Sequence, residues 1–123
     1  MMQITKKESF ITYLDERTRA VQENINRLTK DQRKDEADFE KIRANIFQMF
    51  KTIFQASARI STAEEDQIRF FDNRMTTIAE TWKAALAKAT EHRDERRILQ
   101  EQVKLEVVDE IRSFFDKTWR TTI

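Results

Sequence analysis

Residues 29–38 read TKDQRKDEAD, and whether this stretch turns the chain or continues a helix decides the fold. On its N-terminal side apolar residues recur at helical spacing through Phe10, Leu14, Val21, Ile25 and Leu28, with Thr18 filling the gap. That is the narrow stripe of a peripheral helix. On its C-terminal side Phe39, Ile42, Ile46, Phe47, Met49, Phe50, Ile53 and Phe54 cover neighbouring heptad positions, a broad face that belongs to a central helix. Between the two, successive stripe positions are the polar Gln32 and Asp35. Such an interruption is either a turn or a solvated stretch of one long helix.

A second interruption, TEHRDERR at 90–97, divides the other half in the same way. Before it Ile68, Phe71, Met75, Ile78, Trp82, Ala85 and Ala89 hold one stripe, broken by His92 and Arg96; after it Leu99, Val103, Val107, Ile111 and Phe114 resume. The halves meet where Ser61 and Thr62 precede Glu64 and Glu65, the Ser-x-x-Glu pattern of a capping box, which sets a chain break just before Ser61. Neither interruption carries glycine or proline, and the apolar seam stays in phase across both. Two all-α architectures therefore compete. One is an antiparallel up-down four-helix bundle with helices of about 24 residues, each ~36 Å long. The other is a long two-helix hairpin approaching ~80 Å that dimerises to cover its seam. The four-helix bundle is expected, because it encloses a core within one chain.

The chain of 123 residues fits a single helical domain, 1–123, with no repeat evident at residue level and no linker. Glycine and proline are both absent, which removes the usual turn residues and helix breakers, and only a mainly helical fold tolerates that. With 39% hydrophobic and 37% charged residues the sequence is too apolar for disorder and too charged for a membrane protein. No segment approaches the ~20 apolar residues of a membrane span, and Lys6, Lys7 and Glu8 stand where a signal peptide needs an apolar run. A cytoplasmic location is the default. Basic and acidic residues number 23 and 22 and are mixed throughout, so no strong field recruits nucleic acid or anionic lipid.

Catalytic, cofactor and metal sites are not indicated. There is no cysteine, and the one histidine, His92, lacks the second histidine or Glu-x-x-His pairs that a metal-binding bundle needs, Ala89 standing three residues before it. Without glycine a phosphate-binding glycine loop is impossible. Trp82-Lys83-Ala84 has a distant likeness to the Trp-x-Gly turn of the small helical-hairpin substrates of type VII secretion. Its third residue is alanine and it lies inside a helical stripe, so Trp82 is assigned to the core.

In up-down-up-down order the first and third turns share one end, which gathers Asp31, Arg33, Asp35, His92, Arg93 and Arg96. The opposite end collects Phe10, Tyr13, Phe50, Phe54, Phe70, Phe71, Phe114, Phe115 and Trp119. Because breadth of apolar face is the one feature beyond what a bare fold requires, the expected function is a noncatalytic protein–protein interaction module that self-associates as a dimer or holds a protein partner. Its contacts are expected at Phe54, Phe70, Phe114, Phe115 and Trp119. The alternatives are a ligand-binding or enzymatic bundle whose charged end holds an acidic or phosphorylated molecule, and a weak nucleic-acid binder.

Overall fold

The computed structural model describes residues 4–120, and 87% of these lie in four α-helices. They are α1 (Lys6–Lys30), α2 (Lys34–Ser57), α3 (Glu64–Glu91) and α4 (Glu95–Trp119), packed as a four-helix bundle. Both interruptions turn the chain, so the long hairpin is ruled out. At the start of α1 the Thr5 hydroxyl accepts from the Glu8 amide at 3.0 Å, and at the start of α4 Asp94 accepts from the Arg97 amide at 3.1 Å.

The two tight turns solve a glycine-free problem in the same way. Gln32 and Arg93 adopt the left-handed region, with φ of 59° and 56°. Each follows the last turn of its helix, with Gln32 N–H donating to Thr29 O at 3.1 Å and Arg33 N–H to Leu28 O at 2.9 Å. Arg93 and Asp94 repeat this on Thr90 and Ala89 at 3.1 and 3.0 Å. These are Schellman caps, a position where glycine normally stands because a Cβ is strained there by ~1–2 kcal/mol. Against that gain, glycine adds ~0.4–1 kcal/mol of unfolded-chain entropy. Gln32→Gly and Arg93→Gly are therefore each expected to stabilise the protein by about 0.5–1 kcal/mol, read as a raised urea midpoint at unchanged slope.

The third connection corrects the capping-box expectation. The break before Ser61 is present, since α2 ends at Ser57, but α3 is capped at Ala63 with no side-chain bond. The Ser61 hydroxyl is committed to a local turn instead, accepting from Ala63 N–H at 3.0 Å and donating to Asp66 at 2.9 Å. Gln67, buried, ties the turn down by donating to Ser61 O at 2.7 Å.

α2 packs against all three other helices, as its broad face requires, and α4 does the same. By contrast α1 and α3 have no pair of Cα atoms within 8 Å among the described residues. The bundle is thus a rhombus with α2 and α4, which run parallel, across its short diagonal. This arrangement exposes a repeat that identity hides, because positions 61 residues apart play the same part in the two hairpins. Phe10 and Phe71, Leu14 and Met75, Leu28 and Ala89, Phe47 and Val108, and Phe54 and Phe115 are buried in pairs. Gln32 and Arg93, the left-handed residues, are related in the same way. The chain is two helical hairpins in equivalent register about an axis between α2 and α4.

One stripe is corrected. Leu99 is 49% exposed and Val103 only half-buried, while Glu101 and Val108 take the buried positions at 1% and 3%. The reason is geometric: each four-residue step overshoots a helical turn by about 40°, so the run from Ile111 back to Leu99 leaves the core face.

Candidate functional site

Turns one and three do share an end. Arg96 on α4 reaches Asp38 at the start of α2 at 3.9 Å, linking the two turns across the short diagonal. Asp31, Arg33, Asp35, His92, Arg93 and Arg96 are all exposed there. Arg33 is paired locally with Glu36, which raises its pKa through the hydrogen bond and the attraction of the carboxylate. Beside His92 lies a hollow of about 320 Å³ lined by Lys88, Ala89, Asp94 and Arg97. Arg97 also reaches the buried Glu101 at 3.4 Å.

The opposite end is an aromatic core. Phe10 lies 4.9 Å from Phe54, 5.4 Å from Phe71, 5.9 Å from Phe115 and 5.4 Å from Trp119, ring centre to ring centre. Phe54 and Phe115 are therefore core residues, and Phe114 and Trp119 are half-buried. Of Phe47, Phe50, Phe54, Phe114 and Trp119, whose combined apolar width was the reason to expect a dimer, the first three are absorbed within the one chain at 0%, 0% and 6% exposure. Phe70 stays half-buried outside the ring network, on the flank of α3 away from α4.

Two seams complete the bundle. The α1–α4 seam is shut by Tyr13, whose ring stacks on Phe114 at 4.0 Å and 6° and whose hydroxyl donates to Glu110. Arg17 grips the same carboxylate at 2.8 and 3.2 Å. Burial first, and the Glu110 carboxylate second, push the Tyr13 phenol far above its ordinary value of 10.0. A folded-state pKa raised above the unfolded one means that this contribution is fully present below pH ~10 and is lost as pH rises further. Tyr13→Phe is expected to flatten the alkaline limb of the stability profile, measured as melting temperature between pH 8 and 11. At the α3–α4 seam Asp72 is held by Arg112 and Arg120; partial burial works to raise its pKa, but the two guanidinium hydrogen bonds outweigh it and keep it low.

The α2–α3 seam is different. A hollow of about 480 Å³ opens between Met49, Thr52 and Ile53 on α2 and Arg74, Ile78, Thr81 and Trp82 on α3. Met49, Ile53, Ile78 and Trp82 are half-buried, and Thr52, Arg74 and Thr81 are exposed around them. No carboxylate lines it, and Arg74 has no ion-pair partner among the described residues. Sequence patterning assigned Met49, Ile53, Ile78 and Trp82 to the core, and nothing singled out Arg74, because a lone arginine on a helix flank is indistinguishable from a solvated one until the neighbouring helix is placed.

Among the described residues no group of three or more histidines and acids is arranged to hold a metal, and no helix is long and apolar enough to cross a membrane. Compared with protein-family models, with curated proteins and with solved structures, the chain matches none.

Proposed function

We propose that the chain is a noncatalytic helical interaction module whose partner is another protein. The observation that carries this is the open α2–α3 seam, where Met49, Ile53, Ile78 and Trp82 keep apolar surface in contact with solvent around a hollow of about 480 Å³. The titratable groups accord with this function: apart from burial, the pKa shifts of Tyr13, Arg33 and Asp72 come from partners within the chain, local for Arg33 with Glu36 and between helices for Tyr13 with Glu110 and Asp72 with Arg112. A second copy of the chain is a poorer occupant of this seam, since its own copy of the lining brings another Arg74 and no carboxylate to meet the first.

Photo-cross-linking residues placed one at a time at exposed Glu23, Lys34, Thr81 and Asp109, in cells of the native host, test this. A discrete adduct with one other protein from at least one position is the expected result. Adducts between two copies restore self-association, and their absence from every position sinks the interaction function.

An acidic small molecule at the charged end is the alternative, and its foothold is the hollow beside His92 with Lys88 and Arg97 in its wall. Asp94 in the same wall, and Glu101 on Arg97, offset that positive charge. Titration with inorganic phosphate, followed at the ring protons of the single histidine, separates the two: the interaction module leaves His92 unmoved at millimolar phosphate.

A further inference from the structure

Resting on the interaction function above, we infer that the α2–α3 groove receives an acidic amphipathic helix of a partner protein, with a carboxylate of that helix on Arg74. The warrant is an internal comparison the pseudo-repeat makes possible. The 61-residue register that pairs Phe10 with Phe71 and Phe54 with Phe115 also pairs the α1–α4 seam with the α2–α3 seam. Tyr13 corresponds to Arg74, Arg17 to Ile78, Val21 to Trp82, Glu110 to Met49 and Phe114 to Ile53.

The closed seam holds a stacked ring pair, one ring of which is a phenol, and a carboxylate bound by that phenol and by a guanidinium. Tyr13 stacks on Phe114 at 4.0 Å, and Arg17 and the Tyr13 hydroxyl both donate to Glu110. In the open seam the guanidinium is present as Arg74, but the position answering to the carboxylate is Met49 and those answering to Arg17 and Phe114 are the aliphatic Ile78 and Ile53. What one seam supplies from within the chain, the other lacks. The missing parts are a carboxylate opposite Arg74 and apolar side chains to fill the space above Met49, Ile53 and Ile78.

The shape and charge of the groove then define the occupant. Arg74, Ile78, Thr81 and Trp82 span two turns of α3, and they face Met49, Thr52 and Ile53 on α2. A groove of this form takes apolar anchors spaced i, i+3 or i+4, and i+7 on a helix laid along it. Phe70, one turn before Arg74 on the same flank and half-buried, extends the apolar floor toward the aromatic end. With no carboxylate in the lining, a basic helix finds only repulsion there, and an acidic one finds complementary charge.

Photo-cross-linkers at the exposed rim positions Thr52 and Thr81 in the full chain, expressed in its own host, test the proposal. Adducts are expected from both positions with the same protein, and mass spectrometry should place them on a segment with apolar residues at helical spacing flanked by Asp or Glu. Arg74→Glu should cut adduct yield at least ~10-fold while Arg74→Lys retains most of it, because the guanidinium supplies charge that a lysine partly replaces. Melting curves of both variants should overlay that of the parent, Arg74 being exposed. Adducts that ignore Arg74→Glu, a cross-linked segment that is basic, or adducts with a second copy of this chain overturn the inference. So does silence at Thr52 and Thr81 with adducts at Glu23 or Asp109, which leaves the interaction function standing, whereas silence everywhere removes both.

Discussion

Phe10→Ala is expected to lower stability by about 3–5 kcal/mol, among the largest losses available to a single substitution in this chain. Phe10 is fully buried and is the point at which four helices converge, touching Phe54 of α2 at 4.9 Å, Phe71 of α3 at 5.4 Å and Trp119 of α4 at 5.4 Å. The backbones of α1 and α3 stay apart across the long diagonal, so truncating Phe10 removes a ring that spans a gap the main chain does not close. A close-packed core relaxes only in part around such a hole. Phe71→Ala, at the equivalent position of the other hairpin, should cost a similar amount. The two together should cost less than their sum, since each ring is part of the other's wall. Phe70→Ala is the control, with an expected cost below ~1 kcal/mol for a half-exposed ring outside the network. Urea titrations followed by far-ultraviolet circular dichroism read all four proteins. Equal losses for Phe70→Ala and Phe71→Ala would mean that the assigned face of α3 is rotated by one residue.

Most of this architecture was legible because it is written in absences and in period. A chain with neither glycine nor proline has few options besides helix, and polar residues at the stripe positions Gln32 and Asp35 marked a true turn. The charged and aromatic ends followed from topology alone. Three things were not legible. The strict four-residue spacing from Leu99 to Ile111 read as one stripe, but rotation along the helix carries Leu99 out to solvent and turns Glu101 inward. Ser61 had the residues of a capping box, yet its hydroxyl is used by the loop, a competition that only the fold decides. The repeat escaped because equivalence is carried by burial, as in Leu14 with Met75 and Phe47 with Val108, rather than by identity. That last omission also hid the candidate groove, since Arg74 stands out only when set beside Tyr13.

Glu101→Met is expected to be neutral or to raise stability, by up to about 4 kcal/mol, the opposite sign to most buried substitutions. The Glu101 side chain is 1% exposed, with Lys104 at 3.0 Å and Arg97 at 3.4 Å, both toward its Oε1. Its other oxygen, Oε2, is buried and has no hydrogen-bond partner. A carboxylate in that position has given up its water on both oxygens and recovered partners on one, so the attraction of two partly hydrated cations has to offset an incomplete desolvation. Methionine keeps the length and volume, fills the same buried space, and frees Lys104 and Arg97 to extend into water from side chains that are already 28% and 58% exposed. Removing a partner instead has the reverse effect. Lys104→Met leaves the buried carboxylate with Arg97 alone and is expected to cost about 1–3 kcal/mol. The equivalent pair in the first hairpin, Glu40 and Arg43, shows why the carboxylate is tolerable there: Glu40 keeps 21% of its side chain in contact with solvent and so stays partly hydrated. Guanidinium or urea midpoints for Glu101→Met, Lys104→Met and the double variant form a cycle that isolates the pair. A loss of stability in Glu101→Met comparable to that in Lys104→Met would show that Oε2 is satisfied by an ordered water or another donor, and that the charge at this level of the core stabilises the bundle instead of straining it.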